Sequence, residues 1–114
     1  MPDFASASPF LLAPCSTASA RLPLHGVPST RALEQNAARD LPPHALMQHA
    51  GLAVARVALA VAPHAQTIWI ACGYGNNGGD GLQAAAWLQR WGKRVQVSAL
   101  AAREAMPQDA QAAW

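Results

Sequence analysis

The sequence predicts an α/β fold with parallel strands, and three features of the chain support this prediction. A short apolar run rich in β-branched residues, 67–72, predicts a strand. A glycine-rich segment and a helical pattern that ends at Gly92 follow it, and residues 94–100 predict a second strand. A strand, a crossover helix and a second strand form a right-handed unit with parallel strands. We expect the sheet to be truncated after this second strand.

The composition of the chain limits the classes of function that it can have. The chain has 114 residues, with 8 basic and 6 acidic side chains and a net charge of +2. This charge is too weak to indicate nucleic-acid binding, and no basic block occurs. No apolar run approaches the roughly 20 residues of a membrane span. The N-terminal segment lacks the basic region of a secretory leader, carries Asp3 instead and is broken by Pro9 and Pro14. We therefore expect a cytoplasmic protein with neither nucleic acid nor membrane as a partner.

The chain divides into two parts of different composition. Residues 1–24 mix proline, serine and alanine without periodicity, which predicts a poorly ordered N-terminal extension. Residues 25–114 carry the periodic segments and predict the N-terminal part of one α/β domain.

Two helices are expected before the first strand. Ser29 or Thr30 is placed to cap a short first helix, with Leu33 as its apolar anchor. The second helix runs from His44 until Pro63, because its apolar residues recur at helical spacing. Small side chains in this second helix would allow it to lie close against a sheet: Ala50, Gly51 and Ala53.

The segment 72–81 is the most unusual part of the chain, because it contains five of the eight glycines. Glycine loses more backbone freedom on folding than any other residue, so this crowding requires a reason. Between a strand and a helix, the expected reason is a loop whose backbone turns tightly and approaches a ligand closely. Such a loop presents N–H groups at a helix N-terminus to an anion.

Two common phosphate-binding motifs do not fit this segment well. A P-loop requires a lysine near its end, and none occurs before Gly92. Residues 73–78 match the dinucleotide pattern GxGxxG formally. That fingerprint also needs an acidic residue after the next strand to bind ribose, and residues 98–100 supply none.

The polar side chains of the segment indicate a mixed site. Asn76 and Asn77 offer amide oxygens, which are hard ligands suited to an alkali cation or Mg²⁺, beside N–H donors for a phosphate edge. Asp80 is expected to cap the following helix or to accept from a hydroxyl group. As a cap it would have a lowered pKa and would be a poor general base. A plain Gly/Asn turn with Asp80 only as the cap is the alternative.

Three segments in this order resemble the NAD(P)H-hydrate epimerase family, also called the YjeF N-terminal domain. Residues 73–81, Gly-Tyr-Gly-Asn-Asn-Gly-Gly-Asp-Gly, resemble the signature of that family. Residues 31–34, Arg-Ala-Leu-Glu, and 46–51, Leu-Met-Gln-His-Ala-Gly, resemble its two earlier landmarks. Tyr74 departs from the pattern, since the family frequently has proline there.

The resemblance implies a Rossmann-like, three-layer α/β/α domain with a parallel sheet. It implies the interconversion of the two C6 epimers of hydrated NADH and NADPH, a repair of nicotinamide nucleotides. It also implies a bound potassium ion with Asn77 as one ligand. The residues that it assigns to contact with the nucleotide substrate are Asn76, Asn77, Gly78, Gly79 and Asp80.

The resemblance covers only the first half of that domain. The catalytic acid or base and the remaining potassium ligands are expected beyond Trp114, so we expect negligible epimerase activity from the 114-residue chain alone. For the complete protein we expect a homo-oligomer, and a C-terminally fused dehydratase domain occurs in many bacterial members.

Two other hypotheses remain open at this stage. The chain could belong to a non-catalytic module of the same fold that binds a nucleotide or a protein partner. It could also belong to an ordinary NAD(P) dehydrogenase, in which Arg103 would contact a 2′-phosphate; a role as a surface residue fits Arg103 better.

Overall fold

A computed structural model describes residues 23–114, so nearly all of the expected N-terminal extension lies outside the described residues. The elements in chain order are helix α1 (Val27–Ala38), helix α2 (Ala45–Val61), strand β1 (Thr67–Cys72), helix α3 (Asn76–Arg90), strand β2 (Arg94–Ala99), a 3₁₀ turn (Arg103–Ala105) and helix α4 (Gln108–Ala112).

The two strands form a parallel sheet, as predicted. Thr67 lies opposite Arg94 and Cys72 lies opposite Ala99 in the register. Across the strands, the indole N–H of Trp69 donates a hydrogen bond of 3.0 Å to the hydroxyl of Ser98. With α3 as the crossover between β1 and β2, the described residues confirm an α/β fold with parallel strands.

Helices cover only one face of the sheet within residues 23–114. Ile68 and Ile70 are partly buried and pack with residues of α3, because alternate side chains of a strand point to the same face. The opposite face is open, and Trp69 on that face is 66% exposed. Of the two helical layers that the resemblance implies for the complete α/β/α domain, residues 23–114 supply one.

Helix α2 packs mainly on α3 rather than on the sheet. A Cβ atom added to Gly51 would lie 2.5 Å from the Cβ of Gln83, so the two helices approach closely at this point. Buried Ala55 belongs to one apolar cluster with Ala84 and Leu88 of α3. The small residues of α2 thus allow close packing, as expected. The prediction that this helix packs against the sheet is wrong, because it packs on α3.

Helix α1 is peripheral, and two predictions about it are wrong. It has no buried residue, and its predicted anchor Leu33 is 52% exposed. No side chain caps the helix, which begins directly after Gly26 with a proline in its first turn. The hydroxyl of Thr30, a predicted cap, instead donates back to the carbonyl of Gly26 at 3.1 Å.

Helix α4 is held by polar contacts near the beginning of α2. His44 precedes α2 with a left-handed backbone (φ 64°), and its Nδ1 lies 2.6 Å from Oδ1 of Asp109. Arg103 Nε donates to the carbonyl of Gln111 at 3.1 Å. This contact gives Arg103 a structural role in holding α4.

Replacing Gly51 by alanine should destabilise the chain by about 1–3 kcal/mol, because the added methyl group forces α2 and α3 apart. The loss is expected although alanine favours a helix over glycine by about 1 kcal/mol. Urea denaturation measures the change. Gly73→Ala is the control, since a Cβ atom there meets nothing within 4 Å. Equal losses in the two variants would contradict the close approach of the helices.

Candidate functional site

Most of the predicted glycine loop is the beginning of α3. Strand β1 ends at Cys72 and α3 begins at Asn76, so only residues 73–75 form the loop. Gly75 is the N-cap residue, and no side chain caps the helix. Glycine disfavours a helix by about 1 kcal/mol per residue, so local propensity did not indicate this beginning. Tertiary packing of the glycines accounts for it.

Two glycines of the segment are required by close contacts. A Cβ atom on Gly78 would collide with the carbonyl oxygen of Gly73. A Cβ atom on Gly79 would lie 2.6 Å from the terminal methyl carbon of Met47 and 2.8 Å from the Cα of Ala110. The first turn of α3 therefore contacts the end of β1, α2 and α4 at once.

The other three glycines fall into two groups. A Cβ atom on Gly81 would lie 3.0 Å from the Sγ of buried Cys72, so Gly81 also permits close packing. Gly73 and Gly75 have open space around the Cβ position, and neither has a positive φ. No contact or backbone strain within residues 23–114 requires glycine at these two positions. Their backbone is open to a ligand that approaches closely.

The predicted polar residues lie together on the first two turns of α3. Asn76 and Asn77 are exposed, and Asp80 is partly buried. Asn76 and Asp80 are four residues apart and therefore lie on one face of the helix. Both line a pocket of about 420 Å³ whose other walls come from α1, α2 and α4, with Glu34 and Asp109 among the lining residues.

Asp80 does not cap the helix, which corrects the prediction. It lies in the second turn of α3, and its carboxyl group has no hydrogen-bond partner among residues 23–114. Burial raises the pKa of this carboxyl group, and the negative charge of Glu34 raises it further. Its pKa is thus shifted in the direction opposite to the prediction. A raised pKa makes the carboxylate a stronger proton acceptor than an ordinary aspartate.

Glu34 is a pocket residue that the sequence did not indicate as part of the site. Glu34 belongs to the segment 31–34 that resembles a landmark of the family. That resemblance was the feature of the sequence that could have indicated it. Which face of α1 meets the pocket depends on the docking of α1 against the rest of the chain, because Glu34 and Asp80 are 46 positions apart. Periodicity within one helix does not contain that information.

Asn77 is suited to a potassium ion in the kind of ligand it offers. Its side chain is exposed in the first turn of α3, and an amide oxygen is a hard ligand. One side-chain oxygen does not complete a coordination sphere. Among residues 23–114, no group of three or more His, Cys, Asp or Glu side chains is arranged to hold a metal ion.

Replacing Asp80 by asparagine should stabilise the chain at neutral pH. The folded state binds the Asp80 proton more tightly than the unfolded state, so stability falls as pH rises through the folded-state pKa. Asparagine does not ionise, so the variant avoids this loss of stability. Its stability advantage over the unmodified chain should vanish as pH falls below about 3.9, the ordinary aspartate pKa. Urea midpoints across the pH range measure it.

The control for this experiment is Asp40→Asn, which removes the same charge in the turn between α1 and α2. A lower midpoint for Asp80→Asn than for the unmodified chain at neutral pH would contradict the unfavourable setting of the carboxylate.

Fold and site together define an α/β domain whose candidate site lies where a parallel strand ends and a helix begins, the usual ligand position in such folds. Residues 43–114, more than half of the chain, match the family described as YjeF-related protein N-terminus. The chain belongs to this family.

No helix in the described part is both long and apolar enough to cross a membrane.

Several relatives with established names are similar to the chain. A bifunctional NAD(P)H-hydrate repair enzyme Nnr from Pyrobaculum aerophilum is 51% identical over 55 residues, which are 48% of this chain and 11% of the relative. An NAD(P)H-hydrate epimerase from Bordetella pertussis is 46% identical over 70 residues, 61% of this chain and 31% of the relative. One from Rhodopirellula baltica is 40% identical over 71 residues, 62% of this chain and 29% of the relative.

The chain thus spans less than a third of the length of each of these relatives. No solved structure matches it.

Proposed function

We propose that this chain forms the nucleotide-facing part of an NAD(P)H-hydrate epimerase, an isomerase that interconverts the C6 epimers of hydrated NADH and NADPH. The names of the relatives support epimerisation of hydrated NAD(P)H, and the C6 position is what the family resemblance implies. The main structural support is the pair Gly73 and Gly75, whose backbone is open directly before an uncapped helix.

The first turn of α3 suits the phosphate part of such a substrate. Free N–H groups at a helix N-terminus and the positive end of the helix dipole favour an anion. The missing side chains at Gly73 and Gly75 allow the anion to reach the backbone. Asn76 and Asn77 add amide groups, which both donate and accept hydrogen bonds.

The proposed substrate contacts differ among the five residues. Asn76, Asn77 and Asp80 would contact the nucleotide through side chains that are exposed or face the pocket. Gly78 and Gly79 are buried, so their contribution is a backbone held in place by the packing beneath it. The substrate site of this proposal is therefore one helix turn with a polar outer side and a tightly packed inner side.

A potassium ion, with Asn77 among its ligands, is part of the proposal. When bound, the ion would supply positive charge that offsets the substrate phosphates. Asn77 is one donor, and we propose that the others come from the part of the protein beyond residue 114. The main catalytic acid or base would also lie there, so the 114-residue chain alone should have negligible epimerase activity.

The wider setting of the complete protein is also proposed. We expect a cytoplasmic homo-oligomer, as inferred from the family resemblance. The relative from Pyrobaculum aerophilum is described as bifunctional, which is consistent with a second activity in some members. A C-terminally fused dehydratase domain would provide it here.

Hydrated NADPH should raise the melting temperature of the complete protein more in potassium than in sodium, because the proposed ligands beyond residue 114 then complete the ion site around Asn77. Asn77→Ala should remove this potassium dependence and weaken binding by about tenfold, or 1.4 kcal/mol. Asn36→Ala, an exposed asparagine in α1, is the matched control and should bind as the unmodified chain does. Differential scanning fluorimetry with each nucleotide and salt measures these shifts.

Two outcomes would overturn the proposal. No shift with any nucleotide would favour a non-catalytic, partner-binding module. A larger shift with ordinary NADPH than with hydrated NADPH would favour a dehydrogenase.

Gly73→Ala should weaken hydrated NADPH binding by about tenfold while leaving stability nearly unchanged. The added methyl group meets no protein atom within 4 Å, so it affects only what approaches from outside. Gly78→Ala should instead lower stability by about 1–3 kcal/mol, because its methyl group collides with the carbonyl of Gly73. Calorimetric titration and urea denaturation of both variants separate the effects. Unchanged affinity in Gly73→Ala would exclude a close approach at this residue.

A further inference from the structure

Helix α4 lies over the helix turn that carries the proposed substrate segment. A Cβ atom on Gly79 would lie 2.8 Å from the Cα of Ala110, so α4 lies directly on the first turn of α3. Ala110 is fully buried, in an apolar cluster that also contains Met106, just before α4, and Leu82 of α3. Helix α4 therefore covers the inner side of the turn whose outer side is proposed to bind the nucleotide.

The hydrogen bond between His44 and Asp109 attaches α4 to the beginning of α2. The Nδ1 atom of His44 lies 2.6 Å from Oδ1 of Asp109, the second residue of α4. An ionised carboxylate only accepts hydrogen bonds, so Nδ1 of the imidazole is the donor. The side chains of Arg103 and Gln111 donate to backbone carbonyls within residues 103–114. These two hydrogen bonds shape the segment without attaching it to α2 or α3.

The backbone of His44 is in a constrained conformation. Its φ of 64° is left-handed, and no other residue apart from glycine has a positive φ among residues 23–114. Side chains rarely adopt this region, although histidine, asparagine and aspartate adopt it more often than most. Such a conformation persists where the surrounding contacts fix it, and it is concentrated at ligand clamps and switch regions. The hydrogen bond to Asp109 is the contact that fixes the His44 side chain.

Helix α4 has the features of an element that opens locally. It has five residues, and helices shorter than about 12 residues are marginal without tertiary contacts. Ala110 is its one buried residue, and Gln108, Asp109 and Ala112 are exposed. A segment with so few buried apolar contacts opens at a lower free energy than the whole chain unfolds. The hydrogen bond from His44 is therefore one of few contacts that keep α4 closed.

We propose that α4 is a strap over the nucleotide site, that the hydrogen bond between His44 and Asp109 latches it, and that nucleotide binding and strap closure favour each other. The inference rests on the proposed function for its ligand, and it makes His44 and Asp109 positioning residues.

The coupling follows from what the closed strap holds in place. When α4 is closed, Ala110 packs beneath Gly79 in the first turn of α3, and Asp109 forms a wall of the pocket beside Asn76. When α4 is open, both the packing and the wall are lost. A nucleotide that binds the closed form better stabilises closure, and closure in turn strengthens its binding, because coupling between two equilibria is reciprocal.

Partial exposure of the latch limits its strength. The side chains of His44 and Asp109 are 34% and 52% exposed, so water screens the pair. Exposed pairs of this kind shift an equilibrium by up to about fivefold. Loss of the latch should therefore increase the opening of α4 while the strands and the contact between α2 and α3 remain intact.

The first experiment measures amide hydrogen exchange by NMR in the complete, ligand-free protein at neutral pH. His44→Ala should accelerate exchange by up to about fivefold at Gln111 and Ala113, whose N–H groups bond within α4, and at Gly79 beneath it. His44→Asn should retain slow exchange, because its side-chain NH₂ takes the position of Nδ1 and asparagine tolerates a left-handed backbone. His64→Ala, at an exposed histidine after α2, is the matched control and should exchange as the unmodified protein does. Equal exchange in His44→Ala and the unmodified protein would overturn the latch.

A double-mutant cycle tests the pairing itself. Two residues that act through one hydrogen bond have effects that are not additive. A variant with both His44→Ala and Asp109→Ala should therefore accelerate exchange in α4 no further than Asp109→Ala alone. Additive effects of the two substitutions would overturn the pairing.

The second experiment repeats the exchange measurement on the complete protein with hydrated NADPH at about ten times its Kd. A ligand that binds only the closed form should slow exchange at Gln111 and Ala113 about tenfold. The amide of Ala62, at the end of α2 away from the pocket, reports local fraying and should exchange at an unchanged rate. Unchanged exchange at Gln111 and Ala113 in the nucleotide-bound protein would overturn the coupling, even if α4 were a structural contact.

The two experiments separate this inference from the proposed function. Binding of hydrated NADPH, measured by calorimetry, without slower exchange in α4 would overturn the inference and leave the epimerase proposal standing. Absence of binding would overturn the proposed function and the nucleotide coupling with it. The first experiment decides the latch in either case, because it needs no ligand.

Discussion

The first turn of α3 depends on one close approach, that of Gly78 to the carbonyl oxygen of Gly73. No side chain fits between them, so the first turn of α3 lies directly against the end of β1. The same turn contacts Met47 of α2 and Ala110 of α4 through Gly79. This packing reduces the loop to three residues and places the beginning of the helix beside the pocket.

Tight packing on the inner side of this turn leaves its outer side open. Gly73 and Gly75 have no protein atoms near the Cβ position, and no side chain caps the helix. Asp80 adds a carboxylate whose setting destabilises the folded chain. Each of these three features reduces the stability of the folded chain, and each suits the binding of a ligand. Stability and function are often in conflict at a site in this way.

The strands were predictable, because their β-branched, apolar residues are contiguous in sequence. The beginning of α3 was not, since a Gly-Gly pair disfavours a helix and the contacts that hold it come from residues 47 and 110. The family resemblance of segment 76–80 is confirmed at the level of the family, and the assignment of these residues to a substrate site stays a proposal. The environment of Asp80 was predicted wrongly because partial burial raises its pKa and the charge of Glu34 on α1 raises it further, and no local pattern reveals either cause.

In the proposed complex, the backbone of residues 73–77 faces the nucleotide while the packing beneath it holds α3 in place. The most direct measurement is an amide chemical-shift map of the 114-residue chain titrated with hydrated NADPH in potassium. The largest shifts should fall on Gly73, Gly75, Asn76 and Asn77, with little change on the open sheet face around Trp69. Shifts concentrated on that sheet face, with residues 73–77 unmoved, would contradict it.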